Sequence, residues 1–258
     1  MIPRIIPVLL LADGGLVKTV KFRDPRYVGD PINAVRIFND KQVDELVILD
    51  IRASVEGRAP DDVAIAAIVG EAFMPVGYGG GIRSLEVATR LIQLGVEKIV
   101  VNTATVETPA DVARIAARLG SSTLVASIDA AEGPDGTYEV VTRGATRRTG
   151  IDVRTHVEAV AKLGAGEVLL NSVERDGTMA GYDLDLIRAV VGLVDIPVIA
   201  CGGAGNARDL VSAVRDGGAA AAAAGSMFVF HGRHRAVLIT YPPYDVRADL
   251  FKGDSIAD

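Results

Sequence analysis

The stretch GGAAAAAAGS, Gly217–Ser226, places six consecutive alanines between glycines. On propensity alone it reads as helix, because alanine is the best helix former. A second stretch changes that reading. GVEKIVVNTA, Gly95–Ala104, has the same layout with a β-branched centre, which suits a strand. The two lie 122 positions apart, and DELVILD (Asp44–Asp50) and GEVLLNS (Gly166–Ser172) match through Glu45 and Glu167 at the same offset. YGGGIRS (Tyr78–Ser84) likewise resembles CGGAGNA (Cys201–Ala207). Such self-similarity reads as two fused halves, and it makes Ala219–Ala224 a strand.

Seven more short apolar runs read as strands buried on both faces: Ile5–Leu10, Leu46–Asp50, Pro75–Tyr78, Lys98–Asn102, Thr123–Ile128, Glu167–Asn171 and Pro197–Cys201. Helical patterns lie between them. Pro60-Asp61-Asp62, Ser84, Thr108-Pro109, Asp152, Asp183 and Asn206 open helices, since short polar side chains cap free N–H groups and proline fits the first turn. Gly95, Gly120 and Gly164 follow last turns. Eight strands alternating with helices point to a closed α/β barrel of the (β/α)8 TIM type, with an open doubly wound sheet as the rival. The repeat favours the barrel: one domain over 1–258, with half-barrels at about 1–120 and 121–230. The long first connection, GGLVKTVKFRDPRYVGDP, is a candidate lid before a helix at Asn33. TYEVVTRGATRRTG alternates in period two around Arg143-Gly144 and reads as a hairpin.

Composition narrows the function. The chain has 258 residues, 49% hydrophobic, with a formal net charge of −6. It can bury a sizeable core, and nothing marks nucleic acid or an anionic membrane as a partner. The one cysteine, Cys201, excludes an internal disulfide framework and suits a reducing cytoplasm. Neither a signal peptide nor a membrane span is expected, because charges and glycines interrupt every apolar run.

The chemistry gathers at strand exits. GYGGGIRS and CGGAGNA each follow a strand and open a helix, where glycines let backbone N–H groups approach an anion. Asn102-Thr103 and Gly225-Ser226 stand at matching exits. Together they predict a ligand with two phosphates, one held by each half. Asp50, Asp129, and Asp176 with Glu174, are exit carboxylates. Asp129 in ASIDAAEG is the best candidate for acid–base work. Asp176 in ERDGT is a second candidate, although Asp-Gly also makes a plain turn. Asp50 reads as a helix cap or an arginine partner. At the strand starts, Arg4, Glu45, Lys98 and Glu167 suggest a salt-bridged ring closing the barrel floor. His156 reads as a surface residue and Cys201 as strand packing. His231 and His234 have no carboxylate or cysteine beside them, so neither a metal site nor a cofactor is expected.

RIIPVLL, DELVILDI, GGGIRS, KIVVNTATVE, SIDA, RDGT-x-x-GYD and ACGGAG resemble the HisF family, the cyclase subunit of imidazole glycerol phosphate synthase. The resemblance runs from about Met1 to Phe230. It implies a glutaminase (HisH-like) docked at the barrel floor and ammonia passing through the charged ring to a bisphosphate ribonucleotide at the top. Arg4, Glu45, Lys98 and Glu167 match the ammonia gate. Gly81, Asn102, Thr103, Gly177, Gly202, Gly203, Gly225 and Ser226 fall in the phosphate loops. Asp129 matches one of two catalytic aspartates. The other falls in the family's P-C-L-D-V, where Pro7-Val8-Leu9-Leu10-Leu11 stands here, so Leu10 replaces it. FRDPRYVGDPINA, HRAVLITYPP and a divergent tail, 231–258, resemble a branch found with surface-polysaccharide genes. Its members supply ammonia to a separate sugar amidotransferase that makes acetamidino sugars. The resemblance thus implies an ammonia-conducting subunit for sugar amidation. The cyclase of histidine biosynthesis is the alternative, and a non-catalytic scaffold for a glutaminase is the third reading.

Overall fold

A computed structural model describes residues 2–252; the last six residues of the tail lie outside it. Eight parallel strands form the barrel: β1 Arg4–Ala12, β2 Leu46–Asp50, β3 Val76–Gly79, β4 Lys98–Val101, β5 Leu124–Glu132, β6 Glu167–Ser172, β7 Val198–Cys201 and β8 Ala221–Ala224. Neighbours pair in sequence order, β8 pairs β1, and β5 pairs β6. The sheet therefore closes and leaves no edge within the barrel. The alanine run is β8, fully buried and paired with β1 from Arg4↔Ala221 to Pro7↔Ala224. Tertiary pairing overrides its helix propensity.

Among the described residues, seven helices of eight residues or more surround the barrel: α1 Pro31–Asp40, α2 Asp62–Glu71, α3 Leu85–Gln93, α4 Pro109–Leu119, α5 Val153–Lys162, α6 Leu184–Val191 and α7 Ala207–Arg215. Asp61, Ser84, Asp152, Asp183 and Asn206 cap them through side-chain oxygens, and Asn206 with Asp209 forms a capping box. Thr108 precedes α4 without a side-chain cap bond, leaving the proline as the start signal. α1 begins at Pro31, capped by Asp30, two residues before the expected Asn33.

The first connection is more ordered than the loop expected of it. Gly15–Val20 folds back antiparallel on β1, and Arg23–Gly29 pairs with it in turn. The expected hairpin after β5 is present as Tyr138–Thr142 and Arg147–Asp152. β1 and β5 each run for nine residues and continue into a hairpin, so two straps stand at the barrel mouth.

His156 is the second departure: it is buried, not at the surface. It shares one face of α5 with Val153, Val157 and Val160, at the spacing of an apolar stripe. The Thr105 hydroxyl donates to the Asn102 carbonyl at 2.7 Å and lies 2.9 Å from His156 Nε2. A hydroxyl has one proton, so Nε2 carries the hydrogen of a neutral imidazole. Burial lowers the His156 pKa and keeps it neutral.

Among the described residues, no long helix follows β8. A short turn of helix (Ser226–Val229) leads to two-residue strands, Phe230–His231 and Ala236–Val237, and then to α8, Tyr244–Leu250. This segment is fastened near the start of β1. The Tyr241 hydroxyl donates to the Ile5 carbonyl at 2.8 Å. Arg247, only 4% exposed, pairs with Asp44 and stacks on Tyr241 at 5.0 Å. The Asp44 side chain is 31% exposed, so water takes up part of its charge once the arginine is gone. Arg247→Ala is therefore expected to destabilise the fold by about 1.5–3 kcal/mol, as for a lost hydrogen bond to a charged group, read from urea denaturation midpoints.

Candidate active site

Period-two alternation decides which side chains enter the barrel. Arg4, Ile6, Val8 and Leu10 of β1 share one face, as do Glu45, Val47 and Leu49, Lys98 and Val100, and Glu167, Leu169 and Asn171. The inner face carries an apolar cluster that includes Ile6, Val8, Val47, Val100, Val125, Leu169, Ile199, Ala221 and Ala223. Below it the charged residues meet in a closed, alternating ring. Arg4 bonds Glu45 and Glu167, each at 2.6 Å, and Lys98 bonds the same glutamates at 3.0 and 2.8 Å. The Glu45 and Glu167 side chains are only 5% and 14% exposed. Burying such charges is costly unless each is paired, and the ring pairs all four.

Above the column the barrel opens into a cavity of about 360 Å³ lined by Leu10, Phe22, Asn102, Asp129, Asn171 and Asp176, among others. Asp129 and Asn171 sit side by side in the β5–β6 register. Asp129 is buried. Burial, and then the nearby Asp176, push its pKa up to about 7, against the side-chain amide of Asn171. Asn171 Oδ1 is buried without a hydrogen-bond partner. It lies where a Cβ at Gly202 would stand only 2.5 Å away, so that position admits glycine alone.

Asp176 ties the first hairpin across the mouth. Its carboxylate accepts from the Thr19 hydroxyl at 2.8 Å and the Phe22 N–H at 3.3 Å, while its carbonyl accepts from the Lys21 N–H at 2.9 Å. Burial raises its pKa, opposed by the bond from Thr19. Gly177, at φ 69°, lies directly against the Thr19 carbonyl. The hairpin also delivers a residue the sequence reading missed. Lys18 is buried, its Nζ donates to the Val8 carbonyl at 2.6 Å, and burial lowers its pKa to about 8. Its period within the hairpin was invisible while that segment read as a loop.

The two glycine loops differ. Gly81, Asn102 and Thr103 line a cavity of about 200 Å³. Gly177, Gly202, Gly203, Gly225 and Ser226 do converge, but around only about 40 Å³, with Lys18 at its wall. Asp50 faces outward: it accepts from the Arg52 and Ala53 N–H groups and pairs with Arg58 at 2.8 Å. Glu174 accepts from the Glu132 N–H at 3.2 Å. Cys201 packs at the top of the inner cluster, and burial pushes its thiol up to about 12. His234 is bonded by Arg233, and no group of three metal-binding side chains occurs among the described residues. No described helix is long and apolar enough to cross a membrane.

Asp129 gives a stability prediction with a definite sign. Its folded pKa, about 7, lies above the ordinary 3.8. The contribution of the protonated carboxyl is complete below about pH 4 and is lost as pH rises through 7. Asp129→Asn stays neutral. It is expected to match the parent near pH 4 and exceed it at pH 8 by up to about 4 kcal/mol, at 1.36 kcal/mol per unit. Urea denaturation across that range measures the difference.

The model of a family described as "Histidine biosynthesis protein" matches residues 4–235. A Pseudomonas aeruginosa protein is 50% identical over 239 residues, 93% of this chain and 95% of its own length. A Leptospira interrogans protein is 46% identical over 250 residues, 96% and 98% of the two chains. Both names begin "Putative imidazole glycerol phosphate synthase subunit", continuing hisF2 and HisF. A Caulobacter vibrioides protein, "Imidazole glycerol phosphate synthase subunit HisF", is 45% identical over 228 residues, 88% of each chain. With a closed barrel, a family match over nearly the whole chain and relatives of this identity, the chain belongs to the HisF family of histidine-biosynthesis proteins.

Proposed function

We propose that this chain is the ammonia-conducting synthase subunit of a glutamine-dependent complex. A partner glutaminase docks on the barrel floor, and ammonia passes the ring, crosses the apolar column and meets a phosphate-bearing acceptor in the mouth. The observation that carries this reading is the closed ring of Arg4, Glu45, Lys98 and Glu167 on the axis beneath an aliphatic column. Such an interior admits neutral NH3 far more readily than NH4⁺, which would shed its hydration without gaining a counter-ion. A scaffold that merely activated a glutaminase would need no such path. In the mouth, Asp129 has a pKa near neutrality, which suits a group that both gives and takes a proton. Asp176 lines the same cavity and holds the strap over it. Gly81, Asn102 and Thr103 supply one phosphate loop, and Gly177, Gly202, Gly203, Gly225 and Ser226 the other.

For the acceptor, Leu10 supports amidation of a nucleotide- or lipid-linked sugar, passed on to a sugar amidotransferase. Where a two-carboxylate cyclase needs a second acid, the mouth here has an aliphatic side chain that can neither donate nor accept a proton. The second reading, the imidazole glycerol phosphate synthase cyclase, is favoured by the names of the relatives. One assay separates them. Supplied with ammonia and the ribonucleotide substrate, the protein is expected to turn over about 10²–10⁴-fold more slowly than an authentic cyclase. A comparable rate would establish the cyclase reading instead.

The conduit has its own test. Lys98→Ala leaves two buried glutamates facing one arginine, and the ring should open. In the assembled complex, glutamine-driven transfer is expected to fall or uncouple, with ammonia escaping to solvent. Transfer driven by added ammonium salt should persist. Fully coupled glutamine-driven transfer in this variant would make the ring a stabilising rim and not a gate.

A further inference from the structure

The open first-half cavity contains a group that repels anions. Glu107 lines it, together with Ser54, Gly81, Arg83 and Thr103. Its charge is covered from the second hairpin. Arg143 binds it through two bonds, Nε to Oε1 at 2.9 Å and Nη2 to Oε2 at 2.8 Å, and Arg147 adds a third at 2.8 Å. Arg143 also donates from Nη1 to the Ser54 carbonyl at 3.1 Å, and its backbone N–H donates to Thr103 Oγ1 at 3.2 Å. The guanidinium therefore grips two wall residues of the cavity while its own backbone is moored to a third. Arg143 holds this position with φ at 54°, in the left-handed region that favours glycine. An arginine there is disfavoured locally and is held by these bonds.

Two arginines on one carboxylate leave a surplus cation at the cavity lip, and Arg83 adds another on the wall. The arrangement can release one arginine without stranding Glu107, because Arg147 keeps that carboxylate paired. We propose that Arg143 is the charge-determining residue of the first-half cavity: a phosphoryl dianion entering beside Gly81 and Thr103 takes Arg143 from Glu107, which Arg147 retains. The proposal rests on the phosphate-loop reading above and adds its specificity. The cavity would select a phosphate over a neutral group, and the second hairpin would sense its arrival. A doubly charged ligand is preferred because planar, forked guanidinium donors match phosphoryl oxygens in pairs.

The test is a residue-resolved NMR titration of the full chain with inorganic phosphate at fixed ionic strength. In the parent protein, the Gly81 and Thr103 amides should shift saturably. Arg143→Gln should weaken that binding about tenfold or more, as expected when a charged hydrogen-bond partner is lost. Glu107→Gln should tighten it by removing the competitor. Amides of Gly203 and Ser226 serve as the internal reference and should respond alike in all three proteins. Binding in Arg143→Gln within about twofold of the parent would overturn the proposal and make the cluster a staple for the hairpin, while the phosphate-loop reading survived. Absence of saturable shifts at Gly81 and Thr103 in the parent would overturn both. If Arg143→Gln disturbs Tyr138–Asp152 before phosphate is added, Glu107→Gln decides alone, and unchanged or weaker binding in it overturns the proposal.

Discussion

Everything in this molecule depends on the pairing of β5 with β6, from Glu167↔Val125 to Ser172↔Ala130. Without it the eight strands would be an open sheet of two halves. With it, each strand has one face turned to a common axis, and alternation does the rest. Arg4 and Leu10 lie six residues apart on one strand, yet closure puts one in a charged floor and the other at the cavity mouth. A one-residue slip in register would exchange these faces. It would turn Asp50 inward and Leu49 outward, destroying the cavity and the Asp50–Arg58 pair together.

The same alternation explains how far the sequence could be read. The eight strands, most helix starts and the charged ring were legible because each rests on a local signal: an apolar run, a capping oxygen, a charge at a strand start. The repeat supplied the one fact propensity could not, the strand at Ala221–Ala224. Asp50 was correctly set aside as a cap, and its parity with Leu46 and Ile48 gives the reason. His156 was misjudged because a lone histidine reads as polar; its spacing from Val153 and Val160 was the available clue. Lys18 was missed for a deeper reason. Its burial comes from a strap folding back over the mouth, a long-range contact through Asp176 with no local signature. The tail was illegible likewise, because its anchors, Asp44 with Arg247 and Ile5 with Tyr241, join opposite ends of the chain.

Charge is distributed along the axis in an order that water alone would not choose. The floor concentrates four charges and satisfies them mutually. The column above it is mainly aliphatic, with Ser127 at the level of Leu169. At the mouth, two carboxyls, a lysine and an orphaned amide oxygen lie within a small space, where the low effective dielectric magnifies each unmatched group. Asp129 and Lys18 have both moved toward neutrality, from opposite directions and by the same cause. Proteins tolerate such destabilised clusters where a ligand completes them.

Leu10 at the cavity mouth bears on the charge of Asp129. A second carboxylate at that level would stand near Asp129 and Asp176, and like charges at close range drive proton sharing. With leucine there, Asp129 is raised chiefly by burial and only secondarily by Asp176. The main cause of that shift is therefore the dryness of the mouth, which the first hairpin helps to line. Asp176 latches that hairpin through Thr19 and Phe22. The strap and the raised acid thus belong together: the latched hairpin lines the mouth through Thr19 and Phe22 and helps to keep Asp129 away from water.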